Sequence, residues 1–166
     1  ASTTRYCKSQ KLFQQREDLF SFVAARRLEG KCIGFTNGVF DLLHPGHISL
    51  LRYAGECCDV LIVGLNSDSS VRLLGKGSDR PINCELDRAI VLGALEMVDA
   101  TSIFEEETPL ALIELIRPDV LIKGADYTIE TLVGSQFVVD YGGQVLLARL
   151  KSGHSSTQII KIFLCL

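Results

Sequence analysis

The chain has 166 residues, 47% apolar and 22% charged, which fits one domain of ordinary size with ample material for a core. Its net charge of -3, with no long basic run, argues against nucleic acid as the main partner, although a few local groups suffice to hold a small phosphorylated ligand. No apolar run approaches the roughly 20 residues that span a bilayer, and the polar start, residues 1–16, lacks the apolar stretch of a signal peptide, so a cytoplasmic protein without a membrane partner is expected. Leu12 to Leu28 reads as an amphipathic helix, with Leu12, Leu19, Phe20, Val23 and Ala24 near one face and Gly30 ending it. Lys31–Thr36 reads as a first strand, and Pro45–Cys57 as a helix opened by a first-turn proline. Asp59–Leu65, almost continuously apolar, suits a strand buried on both faces of a parallel sheet. Residues 66–83 read as a glycine-rich surface loop with a short helix near Ser69–Leu74. Then come a helix (Glu85–Val98), a strand (Ala100–Phe104), and a helix capped by Thr108, with Pro109 in its first turn, running to Ile116. A strand (Asp119–Lys123), a helix (Thr131–Tyr141) broken by Gly142-Gly143, a strand (Gln144–Leu150) and a last helix (Ser155–Phe163) complete the pattern.

Strand and helix alternate throughout. That order predicts an α/β fold: a Rossmann-like open parallel sheet with helices on both faces, as a single domain (30–166) behind an N-terminal helical extension (1–29). Ligands of such sheets bind beyond the carboxyl ends of the strands, at a switch point. The six cysteines are irregularly spaced, Cys57 and Cys58 are adjacent, and no CxxC pair occurs, so reduced thiols and no structural zinc are expected.

The first strand leads into Thr36-Asn37-Gly38-Val39-Phe40-Asp41-Leu42-Leu43-His44-Pro45-Gly46-His47. Two histidines three residues apart share one side of a first helical turn, where free N–H groups and the positive dipole end favour a phosphate. Gly38 would let the backbone approach an anion closely. Taken singly, each histidine is more often a packing residue, and HxxH without further donors is a weak metal signal.

This segment carries the HxGH signature and resembles the cytidylyltransferase-like nucleotidyltransferases; the likeness extends from Lys31 to the end. It implies a transferase in which a phosphate oxygen of an acceptor attacks the α-phosphorus of a nucleoside triphosphate and pyrophosphate leaves, by positioning and charge neutralisation without a covalent intermediate. His44, His47 and Lys76 are then catalytic. Thr36, Asn37, Gly38, Val39, Phe40, Gly46, Arg88, Lys123, Gly124 and Asp126 hold the nucleotide, together with Ser155, Ser156 and Thr157, which resemble the family's (I/C)STT phosphate element. Asp41, Arg72 and Arg80 contact the substrate. No metal is held by the protein; Mg2+ arrives on the triphosphate.

The stretches Asp79–Asn83, Val91–Glu96, Phe104–Pro109 and Pro118–Gly124 together look like the adenylyltransferases of ADP-heptose synthesis. That resemblance implies ATP and D-glycero-β-D-manno-heptose 1-phosphate as substrates, a role in lipopolysaccharide or capsule precursor synthesis, a homodimer, and the stand-alone form, since no sugar kinase segment is present. Leu150 stands where CTP-using glycerol phosphate enzymes carry arginine, and His154 where heptose enzymes carry a small residue or cysteine. The alternatives are a cytidylyltransferase for glycerol 3-phosphate or another small phosphate, and a non-catalytic nucleotide-binding module. An NAD-type oxidoreductase is disfavoured, because no GxGxxG follows the first strand.

Overall fold

The computed structural model describes residues 11–125 and 127–148. Six strands form one sheet: β1 (Leu12–Phe13), β2 (Ile33–Gly38), β3 (Val60–Asn66), β4 (Ala100–Phe104), β5 (Val120–Gly124) and β6 (Gln144–Ala148). Their order is β1-β4-β3-β2-β5-β6, and every pairing is parallel. Between them lie α1 (Arg16–Leu28), α2 (Pro45–Glu56), α3 (Asp68–Leu73), α4 (Glu85–Gly93), α5 (Leu110–Ile116) and α6 (Ser135–Asp140).

The strands distribute their side chains to two cores, as a period of two requires. All seven residues of β3 are buried. Val60 and Ile62 pack with Leu19 and Val23 of α1, Leu112, Ile113 and Ile116 of α5, and Val138 of α6. Leu61, Val63 and Leu65 point the other way, to Leu50, Leu51 and Ala54 of α2 and to Ala89 and Leu92 of α4. A sheet covered on both faces demands such continuous apolar strands, which is why Asp59–Leu65 was readable from composition.

The first helix begins later than its apolar spacing predicts. Leu12 and Phe13 are extended and add a strand to the outer edge of β4, in register with Thr101 and Ser102. Thr101 donates its N–H to the Lys11 carbonyl at 2.8 Å. Phe13 faces one core and Leu12 the other, as strand neighbours must. An uncapped edge of β4 outcompetes one more helical turn here, because it supplies backbone partners at once. The helix from Glu85 also stops early, at Gly93; the Lys11 ammonium binds the carbonyls of Leu95 and Val98 in the following turn at 3.1 and 2.5 Å. Thr108 does not cap α5: Pro109 occupies the N-cap position, without a side-chain bond. Residues 131–134, expected to be helical, form turns, where the Thr128 and Thr131 hydroxyls bond each other at 2.9 Å. The last predicted helix lies outside the described residues.

From β2 the chain winds outward through β3 to β4, then returns to β5 on the opposite side of β2. The carboxyl ends of β2 and β5 therefore flank a switch point, where two consecutive connections diverge and leave a crevice.

Candidate active site

Strand β2 delivers Thr36, Asn37 and Gly38 to the crevice, and a tight loop carries the chain to α2. Phe40 in that loop adopts φ +48°, a left-handed conformation that a bulky residue takes only where its surroundings impose it. Its ring lies across Gly38, so close that a Cβ at that position would come within 2.9 Å of it. Gly38 thus makes room for the Phe40 ring. On its other side the ring meets His47, with centroids 5.1 Å apart. Thr36 is fully buried, and its hydroxyl has no hydrogen-bond partner among the described residues.

His44 occupies the N-cap of α2, and its Nδ1 accepts hydrogen bonds from the N–H groups of Gly46 at 3.1 Å and His47 at 3.4 Å. A ring nitrogen that accepts cannot also carry a proton, so the neutral ring holds its proton on Nε2. The His44 and His47 rings are stacked, 3.7 Å between centroids and 22° between planes. Burial pushes the His47 imidazole down to about 4; the neighbouring His44 and, more weakly, Lys76 act in the same direction, and a hydrogen bond with the Leu42 backbone opposes them. Its Nδ1 is buried and unpartnered among the described residues. An unmatched buried acceptor nitrogen beside a helix N-terminus is satisfied once it gains a proton, which an anionic ligand nearby would favour.

A cavity of about 220 Å³ opens beside this loop, lined by Asn37, Gly38 and Val39 from the end of β2, Asn66 from the end of β3 and Lys123 from the end of β5. Lys76 enters from the loop after α3. The Lys123 ammonium donates to the Asn37 carbonyl at 2.7 Å and lies 5.1 Å from the centre of the Tyr127 ring, which ties β5 to β2 across the switch point. Gly124 ends β5 and is buried, as is Gly46 in the first turn of α2. The cavity also takes Leu74, Glu107, Thr108, Pro109, Tyr127, Thr131, Leu132 and Val133. None of these, nor Asn66, was among the predicted site residues. The signal was available: Asn66 ends β3 and Glu107–Pro109 follow β4, so the rule that pointed to the ends of β2 and β5 covers them too.

Three predicted ligand contacts are engaged elsewhere. The Asp41 carboxylate is buried and accepts hydrogen bonds from Arg80 Nε, Ile82 N and Asn83 N, each at 2.9 Å, while Asn83 Nδ2 donates to the Asp41 carbonyl at 2.9 Å. Asp41 and Arg80 therefore latch the Lys76-bearing loop to the histidine loop. Arg88, 1% exposed, donates to the carbonyls of Asn83, Val39 and Asn66 at 2.8–2.9 Å and to the Asp68 carboxylate at 2.7 Å. A guanidinium so surrounded holds the framework together, and it is absent from the lining of the cavity. Arg72 is exposed on α3 and does not line the cavity either. Asp126, Ser155, Ser156 and Thr157, with His154 and Leu150, lie outside the described residues.

Among the described residues no three histidine, cysteine, aspartate or glutamate side chains come together as a metal site. No helix among them is long and apolar enough to cross a membrane. The site can hold an anion between the helix N-terminus, the histidine pair and two lysines, beside a pocket with apolar walls.

The family model described as cytidylyltransferase-like matches residues 35–162. The bifunctional protein HldE of Caulobacter sp. (strain K31) is 58% identical over 140 residues, 84% of this chain and 28% of that protein. The chain thus spans well under a third of the length of the curated relative it matches. The lipopolysaccharide core biosynthesis protein from Thermoplasma volcanium GSS1 superposes with a TM-score of 0.60 at 27% identity, covering 74% of this chain and 98% of that one. Pantoate-beta-alanine ligase from Francisella tularensis, a structure complexed with beta-gamma ATP and beta-alanine, superposes with a TM-score of 0.62. Its identity is 18%, over 90% of this chain and 75% of that one, so the likeness is one of fold alone.

Proposed function

Since the chain belongs to the cytidylyltransferase-like family, whose model spans most of its length, we propose that it is an adenylyltransferase that joins the AMP part of ATP to D-glycero-β-D-manno-heptose 1-phosphate, releasing pyrophosphate. The product, ADP-heptose, would serve lipopolysaccharide or capsule precursor synthesis. The observation that carries the transferase reading is the stacked His44–His47 pair at the N-terminus of α2, beside a cavity lined by Lys76 and Lys123. The heptose reading rests on the likeness to the bifunctional protein HldE and on the sequence pattern after β3.

In the proposed reaction an oxygen of the sugar phosphate attacks the α-phosphorus in line with the departing pyrophosphate. One P–O bond forms and the bond between the α-phosphorus and its bridging oxygen breaks, so no covalent enzyme intermediate is needed. His44 Nε2–H donates to the triphosphate, and His47, neutral in the free protein, gains a proton or a hydrogen bond as charge builds between the phosphates. The Lys76 ammonium neutralises the phosphates, and Lys123 keeps the mouths of β2 and β5 in register through the Asn37 carbonyl. The donor set suits magnesium carried by ATP rather than held by side chains; that ion would neutralise the leaving pyrophosphate. Asp126, Ser155, Ser156 and Thr157 remain proposed nucleotide contacts. We also propose a cytoplasmic homodimer that handles no nucleic acid and no membrane; sedimentation equilibrium giving a monomer at micromolar concentration would reject the dimer.

Pyrophosphate release, measured with ATP or CTP and with heptose 1-phosphate or glycerol 3-phosphate, tests the reading. Release only from ATP with the heptose is expected. Release from CTP with glycerol 3-phosphate would replace the substrates but keep the chemistry. Silence in all four mixtures, with ATP still bound tightly, would make the protein a binding module.

A further inference from the structure

The cavity at the switch point carries a charge that the transferase reading leaves unexplained. Three consecutive glutamates follow β4. Glu106 turns outward to Arg16, 2.6 Å from its guanidinium. Glu107 instead lines the cavity, in company with Lys76 and Lys123; it is exposed at the cavity mouth, and its carboxylate makes no hydrogen bond or ion pair with another described residue. A carboxylate placed in a pocket that must accept phosphate repels that ligand unless it has a separate task. The rest of the lining supplies the task. Thr108 adds a hydroxyl next to Glu107, while Leu74, Pro109 and Leu132 give an apolar wall. Such a surface fits the neutral end of a polyol: its carbon–hydrogen face lies on the apolar wall and its adjacent hydroxyls donate to the carboxylate oxygens.

We infer that Glu107 is a specificity-determining residue of this cavity: it accepts hydrogen bonds from neighbouring hydroxyls of the acceptor and excludes acceptors that carry a second anionic group. The acceptor phosphate then lies towards the triphosphate and Lys76, and the carboxylate reads the other end of the same molecule. This inference rests on the transferase reading above and names a residue that would enforce its preference for a polyhydroxylated monophosphate. Discrimination of this kind combines attraction for one ligand with repulsion of another.

The test compares the wild type with Glu107→Gln and Glu107→Ala in pyrophosphate release from ATP. Acceptors are heptose 1-phosphate and a hexose 1,6-bisphosphate. Glu107→Ala is expected to raise the KM for heptose 1-phosphate by about tenfold or more, with kcat and the KM for ATP within about threefold of wild type. Glu107→Gln keeps a hydrogen-bonding group but loses the charge, so it should narrow the preference for monophosphate over bisphosphate by about tenfold. Unchanged acceptor KM and unchanged preference in both variants would overturn the inference, as would a rise in the KM for ATP of equal size, which marks a general disturbance. If the wild type releases no pyrophosphate with either acceptor, the transferase reading fails on its own. Calorimetric binding of heptose 1-phosphate then decides the role of Glu107: weaker binding by Glu107→Ala supports it, and equal or absent binding by both proteins rejects it.

Discussion

His47 is held neutral by where it sits, and that has a consequence for stability. Burial takes its pKa down from 6.5 to about 4 in the folded protein. Folding therefore favours the uncharged ring. The stability this contributes is complete above about pH 6.5, where the ring is neutral in both states, and is lost as pH falls towards 4. The full span is on the order of 3 kcal/mol. Urea midpoints of the wild type should fall more steeply between pH 6.5 and pH 4 than those of His47→Asn, which has no titrating ring; parallel profiles would show that the ring is not the group responsible. The histidines were legible in the sequence because their spacing at a helix start is itself a chemical signal. The framework bonds of Asp41, Arg80 and Arg88 were not legible, because a charged side chain near such a motif looks like a ligand contact until its burial is known. Arg88 is 1% exposed and surrounded by carbonyls, which only the packed chain reveals.

Pairs of elements depend on a few close approaches. Strand β2 and the residues just after α2 meet at Gly34, where an added Cβ would lie 2.5 Å from Cys58 Sγ and 2.9 Å from Cys58 Cβ. Gly34→Ala is expected to destabilise the fold by about 1–3 kcal/mol. Adding Cys58→Ala should recover about 1 kcal/mol or more of that loss, because it removes the obstructing sulfur. Additive effects in denaturant unfolding of the double variant would refute the contact. The loop from Gly75 to Asn83 depends on its latch in a similar way. Arg80→Gln weakens the buried bond to Asp41, so limited trypsin digestion should cut after Lys76 several-fold faster than in the wild type. Equal cleavage would mean that the latch does not hold the loop. Strand and helix types along the chain were mostly readable, since buried parallel strands and capped helices have distinct patterns. The exception at Leu12–Phe13 arises because helix and edge strand both accept an apolar pair there, and the choice is made by a distant partner, β4.

At the scale of the molecule, alternation of strand and helix predicted an open parallel sheet, whereas the strand order was not legible: which side of β2 receives β5 depends on long-range packing. That order creates the crevice. It brings the end of β2, Asn66 at the end of β3, Lys123 on β5 and the turn after β4 around one cavity. Residues separated by most of the chain, such as Asn37 and Lys123, then touch at 2.7 Å. Two charged loops, one latched and one following β4, complete the walls. The site is thus a property of the winding, and its residue types become interpretable only once the winding is known.

The proposed function depends above all on the stacked histidine pair acting on a triphosphate in this crevice. The most direct test is pyrophosphate release from ATP with heptose 1-phosphate by the wild type and by His47→Asn, with circular dichroism confirming that both are folded. The variant is expected to stay folded and to lose about 10²–10³-fold in kcat, the scale of one oxyanion donor. Turnover by His47→Asn at the wild-type rate would contradict the proposed function.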